Sequence, residues 1–226
     1  MGIRRPTSNA RERRHRASGF SLLEMLTVVA LIIVMGSITF MSLIPALKQQ
    51  RVTNAYNTTM AAMRQARDSA VAQRTSYSVT FSNGATPNTI TVAPTLTGGF
   101  QGQQASTTYT LPTDVTFVAQ SGLPNTAATA PDNYYNASLL PIDFGYTANG
   151  ATGGSSVIYF CPDGSAQDAE NGAGNCLGSW DGGVVYIARN GEILSSRAVT
   201  LWGGTGRIHG WRLYPKTGGG YQWLRQ

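Results

Sequence analysis

The sequence predicts an α+β fold, with one long N-terminal helix packed on an antiparallel β-sheet. Three observations predict it. A helical pattern runs without a break from Phe20 to about Ala72. The rest of the 226-residue chain falls into short Val-, Ile-, Thr- and aromatic-rich runs separated by turn residues, with 26 Gly and 10 Pro overall. Charged residues make up only 12% against 42% apolar, which excludes a solvated, disordered chain. No internal repeat and no second globular domain are visible.

The chain opens on a basic tract. Arg4, Arg5, Arg11, Arg13, Arg14 and Arg16 stand against Glu12 in residues 1–19, a local charge of +5 out of a total of +6. The basic character of the whole chain is therefore mostly a property of its first nineteen residues, and does not make the body a nucleic-acid binder. Next comes Ser18-Gly19-Phe20-Ser21-Leu22-Leu23-Glu24 and an apolar run from Met25 to Ile44. Twenty helical residues at about 1.5 Å each span roughly 30 Å, the thickness of a bilayer core. Positive charge just before such a run holds that end in the cytoplasm and sends the remainder across the membrane.

Glu24 is the anomaly in this segment. A carboxylate beside a lipid-compatible run costs a few kcal/mol unless it is paired. Cleavage after Gly19 would create a partner, the α-amino group of Phe20, which ordinarily titrates near pH 8. Between axially staggered helices, Glu24 of one copy could take the amine of the next. The border at Gly19 precedes the apolar run, unlike the small-residue site that follows a secretory signal.

Beyond Pro45, an interior proline that removes one helical hydrogen bond, the pattern becomes amphipathic. Val52, Tyr56, Met60, Met63, Ala66 and Ala70 recur at three- and four-residue steps. Strands are expected at 76–81, 89–92, 107–111, 115–118, 157–160, 184–188, 198–201 and 207–214. Asn190-Gly191 signals a two-residue hairpin. Segments 98–106 and 120–138 read as long surface loops.

Cys161 and Cys176 bracket fourteen Gly- and acid-rich residues. Outside the cytoplasm they are expected to form a structural disulfide, which for a loop of that length contributes roughly 3 kcal/mol. Asp163, Asp168, Glu170 and Asp181 lack the spacing of a calcium loop and read as a solvated acidic face. No nucleophile elbow, P-loop or His-Glu metal motif occurs, and His209 is the only histidine after the leader. The expectation is a protein that is not an enzyme, with no cofactor and no metal.

The stretch Gly19-Phe20-Ser21-Leu22-Leu23-Glu24-Met25-Leu26 resembles the class III signal of type IV pilins and pseudopilins. Met63-Arg64-Gln65-Ala66-Arg67-Asp68-Ser69-Ala70 with Arg74, and Gly183-Val184-Val185-Tyr186-Ile187 with Thr205-Gly206-Arg207, resemble the FimT/GspH group of that family. The middle, roughly 85–155, matches no pattern of it. The resemblance implies a pilin-like fold divided into a cleaved leader (1–19), an inserted assembly half-helix (20–45) and a periplasmic domain (46–226). It also implies cleavage between Gly19 and Phe20 by a prepilin peptidase, methylation of Phe20 and assembly through Phe20 and Glu24. The chain would sit in the inner membrane, with other pilins or pseudopilins as partners. Two functions stay open: a FimT-like minor pilin of a type IV pilus, or a GspH-like minor pseudopilin of a type II secretion system.

In FimT-like proteins a C-terminal Gly-Arg-x-Arg motif is associated with DNA binding. Here the stretch reads Gly206-Arg207-Ile208-His209-Gly210-Trp211-Arg212, with His209 at the second basic position. Strand alternation puts Arg207, His209 and Trp211 on one side and Arg212 on the other. Arg189, Arg197 and Lys216 could add charge for duplex DNA, with Trp211 or Trp223 as stacking surfaces. The competing expectation is that Trp202 and Trp211 belong to the sheet core and the arginines solvate an edge strand.

Overall fold

A computed structural model of the chain describes residues 19–95, 105–135, 138–146, 154–169, 176 and 180–226, without the side chains of Ile38, Thr39 and Ser42. The basic leader up to residue 18, most of the 98–106 loop and Glu170 lie outside this set. The fold is α+β with antiparallel sheets. The chain divides into two compact units, Met1–Pro45 and Ala46–Gln226.

Helix α1 (Leu22–Gln73) is 52 residues long and runs through Pro45. In the first unit every described large apolar side chain from Phe20 to Ile44 is between 43% and 83% exposed. Polar atoms there are turned inward: the hydroxyls of Thr27 and Ser37 donate to the carbonyls of Glu24 (2.9 Å) and Val34 (2.8 Å). Such back-bonding satisfies a hydroxyl without solvent. Among the described residues, no helix is long and apolar enough to cross a membrane.

In the second unit α1 is amphipathic, as its periodicity predicts. Val52, Ala55, Tyr56, Ala62, Met63, Ala66 and Ala70 are buried. A fully buried Val or Met side chain stabilises by about 1.5–3 kcal/mol, and the alanines let the sheets approach the helix closely. The helix stops at Arg74, which adopts φ 51° in the left-handed region, while the Thr75 amide donates to the Ala70 carbonyl at 3.3 Å. This is the ordinary way to close a helix, with arginine in the place glycine usually takes.

Two antiparallel sheets share the core with α1. The first has the order β3 (Thr107–Thr110), β2 (Thr89–Pro94), β1 (Tyr77–Ser82), β6 (Val157–Phe160), β7 (Ala166–Gln167). The second has the order β11 (Tyr221–Arg225), β10 (Arg207–Pro215), β9 (Arg197–Trp202), β8 (Gly182–Ala188), β4 (Thr116–Phe117), with β5 (Ile142–Tyr146) also on β8. Phe81 of β1 joins the sheets by ring contacts at 5.5 Å with both Phe117 and Phe144. Strand β8 is buried along its whole length. Val185 and Ile187 face the main core, and Val184 and Tyr186 a second cluster with Leu123, Ala198, Leu213 and Trp223. A strand covered on both faces reads as a continuous apolar run.

Three sequence expectations need correction. Asn190-Gly191 is not a two-residue hairpin: β8 and β9 are joined by residues 189–196, which add a 3-10 turn at Ile193–Ser195. Segment 120–138, expected as a surface loop, is more than that over residues 120–135, which lie over the outer face of the second sheet. Leu123 and Pro131 are buried, and the Trp223 indole donates to the Pro124 carbonyl at 3.1 Å. Strands β5, β7 and β11 were not expected. In β5, Gly145 at φ 104° marks an irregular register between Phe144 and Tyr146, and all five residues are buried, so no alternation is left to read.

Gly210 lies where α1 crosses β10. A Cβ there would overlap the Tyr56 hydroxyl and stand 3.0 Å from the Met60 sulfur. Gly210→Ala is expected to destabilise the domain by about 1–3 kcal/mol. Adding Tyr56→Phe should recover part of the loss, since it removes the overlapping atom. Strictly additive effects in urea melts would contradict the contact.

Candidate functional site

Three groups of residues were singled out by sequence, and the structure places each differently. Gly19 and Phe20 are exposed and non-helical, with nothing within 4 Å of a Cβ placed on Gly19. Helix α1 starts two residues later and Glu24 falls in its first turn, where a carboxylate favours the positive end of the helix. The Gly19–Phe20 bond and Glu24 are thus both accessible.

Cys161 and Cys176 form a disulfide with Cα atoms 6.0 Å apart. Cys161 follows β6, and the Ser76 hydroxyl lies 3.7 Å from the Cys176 sulfur, so the bridge ties its loop to the segment leaving α1. The acidic residues beside it are individually held. Hydrogen bonds from the Ser165 hydroxyl (2.6 Å) and amide (2.9 Å) keep the Asp163 carboxyl below the usual carboxylate range. Asp181 is buried, and burial together with a hydrogen bond shared with Asp168 pushes its carboxyl up.

The basic C-terminal residues are not gathered on one face. Alternation along β10 does place Arg207, His209 and Trp211 opposite Trp202, Thr200 and Ala198, and Arg212 opposite Arg197. His209, however, is buried under the 120–135 cover, with Nδ1 2.9 Å from Asp132 Oδ2. The Thr200 hydroxyl donates to the same carboxylate oxygen, and the Trp211 indole donates to Thr200 Oγ1 at 3.0 Å. Hence His209 and the two tryptophans anchor the cover: Trp223 is buried and Trp211 packs on the second cluster. Trp202 is exposed against the Tyr134 ring and is not a core residue.

The other cations divide by position. Arg189 pairs with Asp114 (3.2 Å) and Glu192 (2.5 Å). Arg197 is buried, donates to the carbonyls of Ser195 (3.2 Å) and Ser196 (3.1 Å), and is brought down to about 10 by burial and by the charge of Arg212. Arg212 is half-buried with its guanidinium 5.0 Å from the Tyr214 ring centre. Lys216 is exposed in the turn after β10, and Arg207 is exposed at the opposite end of that strand.

Arg207 meets a different group, one that sequence reading split between two motifs. Arg67 of α1 donates from Nε to the Gly164 carbonyl (3.2 Å) and from Nη2 to the Thr205 carbonyl (3.1 Å). Gly206, at φ 58°, has no room for a Cβ between the Gly164 carbonyl and the Arg67 side chain. The Ala66-Arg67-x-x-Ala70 pattern and the Gly206-Arg207 pair are therefore two halves of one contact. Beside it Arg64, Arg67, Asp68, Thr205, Gly206 and Arg207 line an open cleft of about 590 Å³. Among the described residues, no group of three His, Cys, Asp or Glu could hold a metal ion.

No protein-family model, curated protein or solved structure matches the chain.

The raised carboxyl of Asp181 has a measurable consequence. An acid whose folded pKa lies above its unfolded value contributes stability that is fully present below the unfolded range, near pH 4, and is lost as pH rises through the folded value. Asp181→Asn keeps a hydrogen-bonding partner for Asp168 and removes that titration. The wild-type melting temperature is expected to fall relative to Asp181→Asn as pH is raised from about 4. Parallel pH profiles of the two would contradict the pairing.

Proposed function

We propose that the chain is a minor pilin or pseudopilin, a structural and non-catalytic subunit anchored in the inner membrane by the first half of α1 with its β-rich domain on the periplasmic side. One observation carries the reading: a helix whose described apolar side chains are exposed all round, from Leu22 to Ile44, with an acid in its first turn. A helix apolar on every face needs lipid or other helices around it. Read in full, the sequence from Met25 to Ile44 contains no Asp, Glu, Lys or Arg. The disulfide fits an oxidising compartment. The resemblance at the Gly19-Phe20 border supplies the processing step, and the reading covers both a type IV pilus and a type II secretion machine.

Assembly then rests on Phe20 and Glu24. The amine freed by cleavage and the Glu24 carboxylate of a neighbouring subunit would neutralise each other in a low-dielectric filament core, where breaking one partner costs more than it does in water. The domain would present itself to other subunits through what α1 leaves uncovered.

A second reading, contact with duplex DNA, is favoured by the convergence of Arg64, Arg67 and Arg207 on one cleft. It replaces the wider basic set read from sequence. Such contact would go to phosphates and weaken steeply with salt. Arg64→Gln with Arg207→Gln is expected to abolish retardation of duplex DNA in a gel at low ionic strength. Unchanged retardation would remove the cleft from consideration.

The anchored-subunit reading is tested by processing. Mass spectrometry of the membrane-extracted protein should find an N-terminus at Phe20, and Glu24→Ala should leave that cleavage intact while depleting the chain from sheared filaments. A product starting near Pro45 would contradict the reading, as would normal incorporation of Glu24→Ala for the pairing.

A further inference from the structure

Charge in the β-rich domain is segregated along α1. The helix and β10 pass each other in opposite senses, with Tyr56 against Gly210 and Arg67 against the Thr205–Gly206 turn. The start of α1 in this unit therefore lies at the end of the domain where β10 finishes and β9 begins. Register and ion pairs place six cations there. Arg212 is opposite Arg197, Lys216 follows β10, Arg51 and Arg189 both reach Asp114, and Lys48 stands one turn before Arg51. Among the described residues, Asp114 and Glu192 are the acids ion-paired with them, and Arg189 spans both. The chain has two lysines in all, and both are at this end and exposed.

We propose that this rim, through Lys48, Arg51, Arg212 and Lys216, binds the headgroups of anionic phospholipids. The proposal rests on the anchored reading above and adds the partner of the domain before assembly. Chain length alone argues for a membrane. Lys48 follows Ile44 by four residues, about 6 Å of helix, which is inside the roughly 8–10 Å over which surface charge is felt at physiological salt. Cations so close to a bilayer edge are drawn to anionic headgroups, and their long stems let the charged tips reach them. Arg197 is buried and contributes potential, not contact. Subunits held with the basic rim on the bilayer would keep a fixed height for entry into a growing filament, and would be released as neighbours displace the lipid.

The test uses the full chain reconstituted into vesicles of phosphatidylcholine alone, or of equal parts phosphatidylcholine and phosphatidylglycerol. A membrane-impermeant amine reagent is added, and modification of Lys48 and Lys216 is followed by peptide mass spectrometry. Phosphatidylglycerol is expected to slow both reactions several-fold at low salt, with the rates restored by high salt. Arg212→Gln should weaken the protection of Lys216, on the order of fivefold for one lost charge. A chain that floats with both vesicles but reacts equally in each overturns the proposal and leaves the anchor standing. A chain that fails to float with neutral vesicles overturns the anchored reading and the proposal together. Duplex DNA that protects both lysines on neutral vesicles, where phosphatidylglycerol does not, would overturn it in favour of a nucleic-acid surface.

Discussion

Both sheets depend on the buried stripe of α1. Ala62, Met63, Ala66 and Ala70 have no exposed surface, and residues of both sheets close over them in one core. Small residues on this stripe bring the strands near enough for the Arg67 guanidinium to reach two backbone carbonyls at once, one before β7 and one before β10. A bulkier stripe would hold those turns out of range. Gly206 completes the fit from the other side, because its left-handed conformation and missing Cβ leave space for the Arg67 side chain. Packing and hydrogen bonding thus support each other at one place, where helix, disulfide loop and final strands meet.

The outer face of the second sheet is governed by a separate arrangement. Segment 120–135 has little secondary structure, yet it buries Leu123 and Pro131 and delivers Asp132 to His209 and Thr200. Asp132 and Asn133 sit at positive φ (47° and 64°), a conformation that Asp and Asn tolerate better than most residues. A polar network under a loop fixes the loop in one place, where a purely apolar contact would allow it to slide. That network explains why His209 is turned inward while Arg207, two residues before it, stays exposed.

Much of the architecture was legible in the sequence because it is periodic. The 3.6-residue stripe from Val52 to Ala70 and the alternation of Tyr77, Val79 and Phe81 follow directly from burial of one face. What periodicity cannot carry was missed. Strand β5 is buried throughout and interrupted at Gly145, and β11 lies beyond Gly218, Gly219 and Gly220, all at positive φ. The candidate site was legible as motifs but not as contacts. Arg67 is separated from Gly164 by 97 residues and from Thr205 by 138, and no local pattern joins them. The likeness of the C-terminal cations in sequence also concealed their different fates: Arg197 buried, Arg189 paired, Arg207 at one end and Lys216 at the other.

One helix serving two surroundings is the claim on which the functional reading turns. From Val52 onward α1 is covered by its own strands, whereas from Leu22 to Ile44 its described apolar side chains are exposed, and on the proposed reading lipid or other helices cover them. Alkaline carbonate washing of membranes from cells expressing the full chain tests this most directly, since it strips peripheral proteins and leaves inserted ones. The account predicts that the chain stays entirely with the sedimented membrane, and that a chain lacking residues 20–45 does not. Release of the full chain into the supernatant would contradict it.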